Sequence, residues 1–207
     1  MITLVLGGAR SGKSTVAEQL AARMAPPVTY VATLDVGDDA DLAARVEVHR
    51  RRRPPEWRTE QAGPEYAGAG HAGCGHAGCG HAGDPPAAVR TRGGDGHRPA
   101  PLTEVLRRLE GSVLVDSLGP WLGASPGFAV DADELCAALA GRHGDTVVVS
   151  EEVGLSVHPS TEQGRRFRDA LGALNQAVAS CADDVLLVVA GRVLPLAAPP
   201  LGDPGPR

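Results

Sequence analysis

Lysine occurs once in this chain of 207 residues, at Lys13, whereas arginine occurs nineteen times. That lysine lies in a segment that matches the phosphate-loop pattern G-x-x-x-x-G-K-[ST] in full, Gly7-Gly8-Ala9-Arg10-Ser11-Gly12-Lys13-Ser14. An ammonium on a flexible stem reaches between the β- and γ-phosphates of a nucleoside triphosphate, which a planar guanidinium does poorly. We therefore predict that all eight residues bind nucleotide and that Lys13 also takes part in catalysis.

The residues on either side of this loop strengthen the prediction. Residues 2–6 are apolar and rich in β-formers, as in a buried parallel strand, and apolar residues recur at helical spacing from Ala17 to Met24. A strand, a glycine loop and a helix thus follow in the order that points backbone N–H groups and a helix N-terminus at phosphate oxygens. We expect the hydroxyl of Ser14 to bind Mg²⁺.

Composition excludes several classes of protein. The net charge of −5 and the pI of about 5.8 argue against binding of nucleic acid through a general basic surface. No apolar run approaches the ~20 residues that span a bilayer, and a strand pattern occupies the position of a signal peptide, so we expect a cytoplasmic protein. Four cysteines do not make a disulfide framework in a chain of this kind.

Apolar strand patterns alternate with helical patterns through the rest of the chain. Strands are predicted at 28–33, 112–116, 146–150 and 184–189, and helices at 39–52, 102–110, 131–142 and 160–181. This alternation predicts an α/β fold with a mainly parallel sheet and helices on both faces. Together with the phosphate-loop motif, it leads us to assign the chain to the P-loop NTPases, with a RecA-like sheet. We expect one nucleotide-binding domain over residues 1–192, with its ligand at the carboxyl ends of the strands.

Two segments fall outside that pattern. Residues 62–101 contain little apolar surface and carry a repeat of three histidines and two cysteines at five-residue spacing, at His71, Cys74, His76, Cys79 and His81. We interpret this segment as a low-complexity insertion, or alternatively as a weak site for a soft or borderline metal. Residues 193–207 are rich in proline, and we expect them to form a loose tail.

Acidic residues follow two of the predicted strands. Asp116 ends a strand in the position typical of the second magnesium-binding acid of phosphate-loop enzymes, although a plain strand-end aspartate would look the same. Glu151 and Glu152 follow another buried strand, where neighbouring side chains point to opposite sides. At most one of the two therefore faces the nucleotide, as a general base or a ligand of magnesium-bound water. A solvated pair of loop residues is the alternative interpretation, and we name Glu152 as the candidate nucleotide contact.

A basic stretch around His49 suggests a second chemistry. A helix over 39–52 would place this histidine beside several arginines, including Arg50 and Arg53. Nearby cations disfavour imidazolium, so His49 is expected to stay neutral and nucleophilic. Attack by such an imidazole on a nucleotide α-phosphate would give a phosphoramidate and release pyrophosphate. A solvated basic helix end is the alternative interpretation.

The chain resembles the family of bifunctional adenosylcobinamide kinase / adenosylcobinamide-phosphate guanylyltransferases of cobalamin biosynthesis. The resemblance covers most of residues 1–61 and 102–192, and its matching motifs occur in the family's order. They are the loop at 7–14, Tyr30-Val31-Ala32-Thr33, Ala44-Arg45, His49-Arg50, Arg53-Pro54, Trp57-Arg58-Thr59, Val153-Gly154, Arg166-Phe167-Arg168-Asp169, Gly172 and Asn175-Gln176.

The resemblance implies two reactions. The first phosphorylates the aminopropanol hydroxyl of adenosylcobinamide with ATP or GTP, and the second passes GMP through a histidine, here His49, to that phosphate. It also implies that the phosphate loop lies at residues 7–14, that the magnesium-side acid is Asp116, and that the protein forms a homotrimer. From the residues themselves we predict nucleotide contacts from Arg50 and Arg53, whose guanidiniums could neutralise phosphate charge, and from Glu152. The loops at 117–121 and 151–159 depart from the family pattern, so either half-reaction could be impaired.

Two other functions remain open from the residues alone. One is a phosphate-loop GTPase that delivers metal from the His/Cys repeat. It is disfavoured because the chain has one lysine and one asparagine and cannot contain the guanine-reading motif Asn-Lys-x-Asp. The other is a small-molecule kinase of different specificity, in which His49 would have no role.

Overall fold

A computed structural model describes residues 1–34, 46–47, 50–65 and 99–198 of the protein. Its seven strands are β1 (Ile2–Gly7), β2 (Val28–Ala32), β3 (Arg58–Gln61), β4 (Ser112–Asp116), β5 (Thr146–Glu151), β6 (Asp184–Val189) and β7 (Arg192–Pro195). Its α-helices include α1 (Lys13–Ala21), α2 (Leu102–Arg108), α3 (Leu118–Ala124), α4 (Ala132–Ala140) and α5 (Glu162–Cys181). Residues 46–47 and 50–52 are also helical, in agreement with the predicted helix over 39–52 as far as the described residues reach.

The strands form one sheet in the order β3-β2-β4-β5-β1-β6-β7. All neighbouring strands pair in parallel except β6 and β7, which are antiparallel. The register sets Gly7 opposite Glu151, and Ala32 opposite Asp116. Because parallel strands share their carboxyl edge, the start of the phosphate loop and both acids lie at the same edge of the sheet.

Apolar side chains bury both faces of the sheet. On one face Ala17 and Ala21 of α1 pack against strand residues such as Val5 and Leu114. On the other face α2, α3, α4 and α5 cover the sheet, with Trp121 completely buried among them. The predicted α/β fold, a mainly parallel sheet covered on both sides, is confirmed.

Two strands and one α-helix of the described residues were absent from the sequence prediction. The strand β3 is polar and mostly exposed at the sheet edge, so it lacks an apolar pattern. The helix α3 contains two glycines and a proline, yet burial of Leu118, Trp121 and Leu122 stabilises it. The strand β7 takes in residues 193–195, which we expected to belong to the loose tail; pairing with β6 supplies the backbone hydrogen bonds that this short segment could not make alone.

The two ends of the predicted 62–101 insertion belong to the folded domain. Ala62 is buried in the core, and Gly63 N donates to Ala100 O at 2.7 Å. Next to this contact, Glu65 Oε1 accepts hydrogen bonds from the backbone and side chain of Thr103. The two described ends of this segment therefore lie side by side in the domain, and the His/Cys repeat lies outside the described residues. Within the described part of the chain, no helix has the length and apolar character needed to cross a membrane.

Candidate nucleotide-binding site

The phosphate loop joins β1 to α1 at the carboxyl edge of the sheet. Gly12 has a φ of 94°, a conformation that strains any residue with a Cβ atom. A Cβ atom at Gly7 would collide with Ser11 Oγ and lie 2.8 Å from Val188 O, so only glycine fits there. Hydrogen bonds from Ser11 N to Gly8 O and from Gly191 N to Ser11 O hold the loop, which lies between a strand and a helix in the predicted order.

Lys13 points across the loop. Its side chain is only 12% exposed, and Nζ lies 3.4 Å from Gly8 O and 3.4 Å from Glu151 Oε1. The ammonium is thus held by a carbonyl and a carboxylate at the place where the pattern predicts phosphate oxygens. Both partners are acceptors, which phosphate oxygens can replace.

The acid that faces the loop is Glu151. In addition to its ion pair with Lys13, it accepts hydrogen bonds from Ser117 Oγ at 2.8 Å and from Gly119 N at 2.9 Å. Glu152, to which we assigned the nucleotide side, instead accepts a hydrogen bond from Gly154 N at 2.7 Å in its own turn. Glu151 is thus the acid whose side chain contacts Lys13, and the assignment of Glu152 to the nucleotide stays a prediction.

Asp116 lies beside the first turn of α1. Its Oδ1 accepts a hydrogen bond from Ser14 Oγ at 3.3 Å, and its Oδ2 accepts one from Tyr30 OH at 3.0 Å. Burial, and then the carboxylate of Asp116, raise the pKa of the Tyr30 phenol, which therefore stays protonated and donates. A hydroxyl and a carboxylate next to a phosphate loop are the oxygen donors that Mg²⁺ prefers, so Ser14 and Asp116 fit that cation.

The arginine-rich segment lies next to this site, although His49 itself falls outside the described residues. Arg50 and Arg51 donate to Glu47 at 2.8 and 2.9 Å and are well exposed. These hydrogen bonds, those from Arg50 first, lower the pKa of the Glu47 carboxyl. In the state described, the guanidinium of Arg50 is thus directed to a carboxylate of its own helix.

Arg53 behaves differently. Its guanidinium carbon lies 3.2 Å from the centre of the Tyr30 ring, a cation–π contact, while Arg52 Nε lies 3.5 Å from Glu18 on α1. Trp57 packs on the same side of the sheet as α1. The basic segment is therefore held against the phosphate-loop side of the protein.

Sequence reasoning assigned no function to Tyr30 and assigned the nucleotide side to Glu152 rather than Glu151. Tyr30 entered the sequence analysis only as part of the strand at 28–33 and of the family motif Tyr30-Val31-Ala32-Thr33, without a role of its own. Among the described residues, no group of three or more His, Cys, Asp or Glu side chains is arranged to hold a metal ion. The metal-delivery alternative gains no support from this part of the chain.

Comparison with known proteins identifies relatives. Residues 3–72 and 96–196 match the family model described as cobinamide kinase / cobinamide phosphate guanyltransferase, and the match omits only residues 73–95 between those two limits. That omitted stretch lies within the predicted insertion and contains most of the His/Cys repeat.

Curated relatives align over almost their whole length. The bifunctional adenosylcobalamin biosynthesis protein CobP of Pseudomonas aeruginosa is 34% identical, over 97% of this chain and 100% of that protein. CobU of Salmonella typhimurium, with the same description, is 35% identical over 92% of this chain and 97% of its own length. CobU of Escherichia coli is 33% identical with the same coverage.

Proposed function

We propose a two-step transferase activity for this chain, which belongs to the cobinamide kinase / cobinamide phosphate guanyltransferase family. It phosphorylates adenosylcobinamide with ATP or GTP and then transfers GMP from GTP, through a histidine, to give adenosylcobinamide-GDP. The observation that carries this proposal is that the family match includes a complete phosphate loop whose Lys13 lies 3.4 Å from Glu151.

In the kinase step, the aminopropanol hydroxyl oxygen of adenosylcobinamide attacks the γ-phosphorus. A new P–O bond forms, the bond to the β-phosphate oxygen breaks, and a nucleoside diphosphate leaves. Backbone N–H groups of residues 8–14 and the Lys13 ammonium offset the charge on the transferring group. Such catalysis depends on positioning and electrostatics, which the preformed loop supplies.

Glu151 is the carboxylate placed to receive the hydroxyl proton, or to orient the hydroxyl, because its side chain reaches the loop. Ser14 and Asp116 would hold Mg²⁺. When bound, this cation would neutralise charge on the nucleotide phosphates. The hydrogen bond that Tyr30 OH donates holds the Asp116 carboxylate in one orientation.

In the guanylyl step, a neutral imidazole nitrogen of His49 attacks the α-phosphorus of GTP and expels pyrophosphate. The phosphate oxygen of adenosylcobinamide phosphate then attacks the same phosphorus, and the N–P bond to His49 breaks. Arg50 and Arg53 would offset nucleotide charge in this step, and Glu152 remains a proposed nucleotide contact. The support for Arg53 is its fixed position four residues beyond His49.

The same family membership supports two finer proposals. The protein is expected to act in the cytoplasm, where its nucleotide substrates are, and to form a homo-oligomer, a trimer by resemblance. Light scattering coupled to gel filtration would give the mass of the particle, and a monomeric mass at working concentration would contradict the second proposal.

The decisive experiment is incubation with α-labelled GTP followed by mass spectrometry. We expect an acid-labile, hydroxylamine-resistant GMP adduct on His49, absent from His49→Ala and retained in His143→Ala, which removes an exposed histidine at the amino edge of the sheet. Separately, Lys13→Ala should abolish phosphorylation of cobinamide. Lack of any adduct on the unaltered protein would remove the guanylyltransferase function and leave a small-molecule kinase.

A further inference from the structure

Tyr30 makes contacts on two sides of its side chain. The hydroxyl donates to Asp116 Oδ2 at 3.0 Å, and the opposite oxygen of that carboxylate accepts from Ser14 Oγ at 3.3 Å. The face of the ring carries the guanidinium of Arg53 at 3.2 Å. Tyr30, which is buried in the middle of β2, thus contacts both Asp116 beside the phosphate loop and Arg53 of the basic segment.

Among the described residues, Arg53 is held by the ring of Tyr30 and not by an ion pair. Arg53 Nε is buried without a hydrogen-bond partner in the described part of the chain. Stacking on an aromatic face therefore provides the favourable interaction that the structure gives this guanidinium. Arg50–Arg52 are helical and precede it directly, so its position is coupled to the segment that carries His49.

We propose that Tyr30 is a positioning residue shared by the two reactions: its hydroxyl orients Asp116 for the kinase step, and its ring orients Arg53 for guanylyl transfer. This inference rests on the proposed two-step function. Because the two roles use different parts of one side chain, different substitutions separate them.

Tyr30→Phe keeps the ring and removes the hydroxyl. We expect Mn²⁺, measured by electron paramagnetic resonance in the presence of a non-hydrolysable ATP analogue, to bind about 10-fold more weakly, the effect of losing one hydrogen bond to a charged group. The kcat for cobinamide phosphorylation should fall, and raised Mg²⁺ should restore part of it. A residue with a purely structural role would not respond to the cation.

Arg53→Lys keeps the charge and loses the planar stacking. We expect GMP to appear on His49 about 10-fold more slowly, while Mn²⁺ affinity stays at the wild-type value because the substitution does not touch Asp116. Tyr30→Leu removes both contacts and should reduce both readouts. Tyr66→Phe, which removes the hydroxyl of the only other tyrosine, is the matched control for Tyr30→Phe, and thermal melts show that each variant is folded.

Each half of the proposal has its own contradicting result. Wild-type Mn²⁺ affinity and phosphorylation in Tyr30→Phe would overturn the role toward Asp116. A wild-type rate of adduct formation in Arg53→Lys or in Tyr30→Leu would overturn the role toward Arg53. Failure of the unaltered protein to form any adduct would remove guanylyl transfer together with the Arg53 half, while Mn²⁺ binding would still decide the Asp116 half.

Discussion

The ammonium of Lys13 and the carboxylate of Glu151 lie 3.4 Å apart, although 138 positions separate them in the chain. The neighbouring parallel strands β1 and β5 bring them together, because the register sets Gly7 opposite Glu151. This pair places the positive charge that a triphosphate needs, on Lys13, next to a carboxylate that can accept a proton, on Glu151. It also keeps the only lysine of the chain partly shielded from solvent before nucleotide binds.

Since Lys13 is the only lysine, an amine-reactive reagent can modify only this side chain and the N-terminal amine. We expect saturating MgATP to slow acetylation of Lys13 strongly, because phosphate oxygens would then contact Nζ and block it. Acetylation of the N-terminal amine of Met1 should proceed as before. Peptide mass spectrometry measures both sites. Equal labelling of Lys13 with and without nucleotide would contradict the assignment of the loop.

Glu151→Gln should lower the kcat of cobinamide phosphorylation by about 100-fold, the size typical of losing a general base. The KM for ATP should not rise, because the neutral side chain no longer places negative charge beside the phosphates. Steady-state kinetics separate these two effects. Glu152→Gln is the matched control, because that carboxylate contacts the N–H of Gly154 in its own turn. A larger loss of kcat in the control would return the role to Glu152.

The thiol of Cys136 predicts a dependence of stability on pH. Burial, and then the nearby thiol of Cys181, raise the pKa of Cys136 to about 12 from an ordinary value of 9.0. The folded state therefore holds this proton more tightly than the unfolded state does. The resulting contribution to stability is complete below pH 9.0 and is lost as the pH rises toward 12.

Urea unfolding of the wild type and of Cys136→Ala between pH 8 and pH 10.5 checks this sign. The free energy of unfolding should decrease more steeply with rising pH in the wild type than in the variant. Parallel curves would show that this thiol is not shielded in the folded protein.

Arg142 stabilises the amino edge of the sheet. Its guanidinium donates to Leu106 O, Leu109 O and Gly111 O at 2.7–2.8 Å, at the end of α2 and before β4. Arg142→Ala should lower the free energy of unfolding by about 2–4 kcal/mol, because several carbonyls lose a charged donor. Arg107→Ala, which breaks an exposed ion pair with Glu134, should cost at most about 1 kcal/mol. Equal losses in denaturant titrations would contradict this ranking.

Deletion of residues 73–95 should leave the fold and the nucleotide site intact. The family match omits this stretch, and the contact between Gly63 and Ala100 already brings the flanking chain together. We expect the melting temperature of the deletion variant to stay within a few degrees of the wild type and the GMP adduct to form as before. Loss of tight, stoichiometric Ni²⁺ or Zn²⁺ binding in calorimetry would revive the metal-delivery alternative.

The elements that the sequence predicted best are those with a continuous apolar pattern. β4 and β6 have the predicted bounds, and the other predicted strands agree to within one residue at either end. The strands β3 and β7 were missed because they are short and their side chains are mostly exposed at the sheet edge. Their stability comes from hydrogen bonds to a neighbouring strand, and a local pattern does not show which strand that is.

The candidate site likewise has one part that the sequence predicts and one part that it does not. The phosphate loop was predictable because its chemistry lies in eight contiguous residues with a required strand before them and a helix after them. The choice between Glu151 and Glu152 was not, since adjacent residues at a strand end point to opposite sides. The register between β1 and β5 decides which side faces the loop.

The phosphate loop, the strand pattern and the family can be predicted from the amino-acid sequence, because each depends on residues that are close along the chain or on their order. The contacts of Tyr30 with Asp116, 86 positions away, and with Arg53 are visible only in the folded protein. Those contacts depend on which strands lie side by side and in what register. Strand order is a property of the whole packed sheet, in which burial on both faces and hydrogen bonding between distant segments are satisfied together.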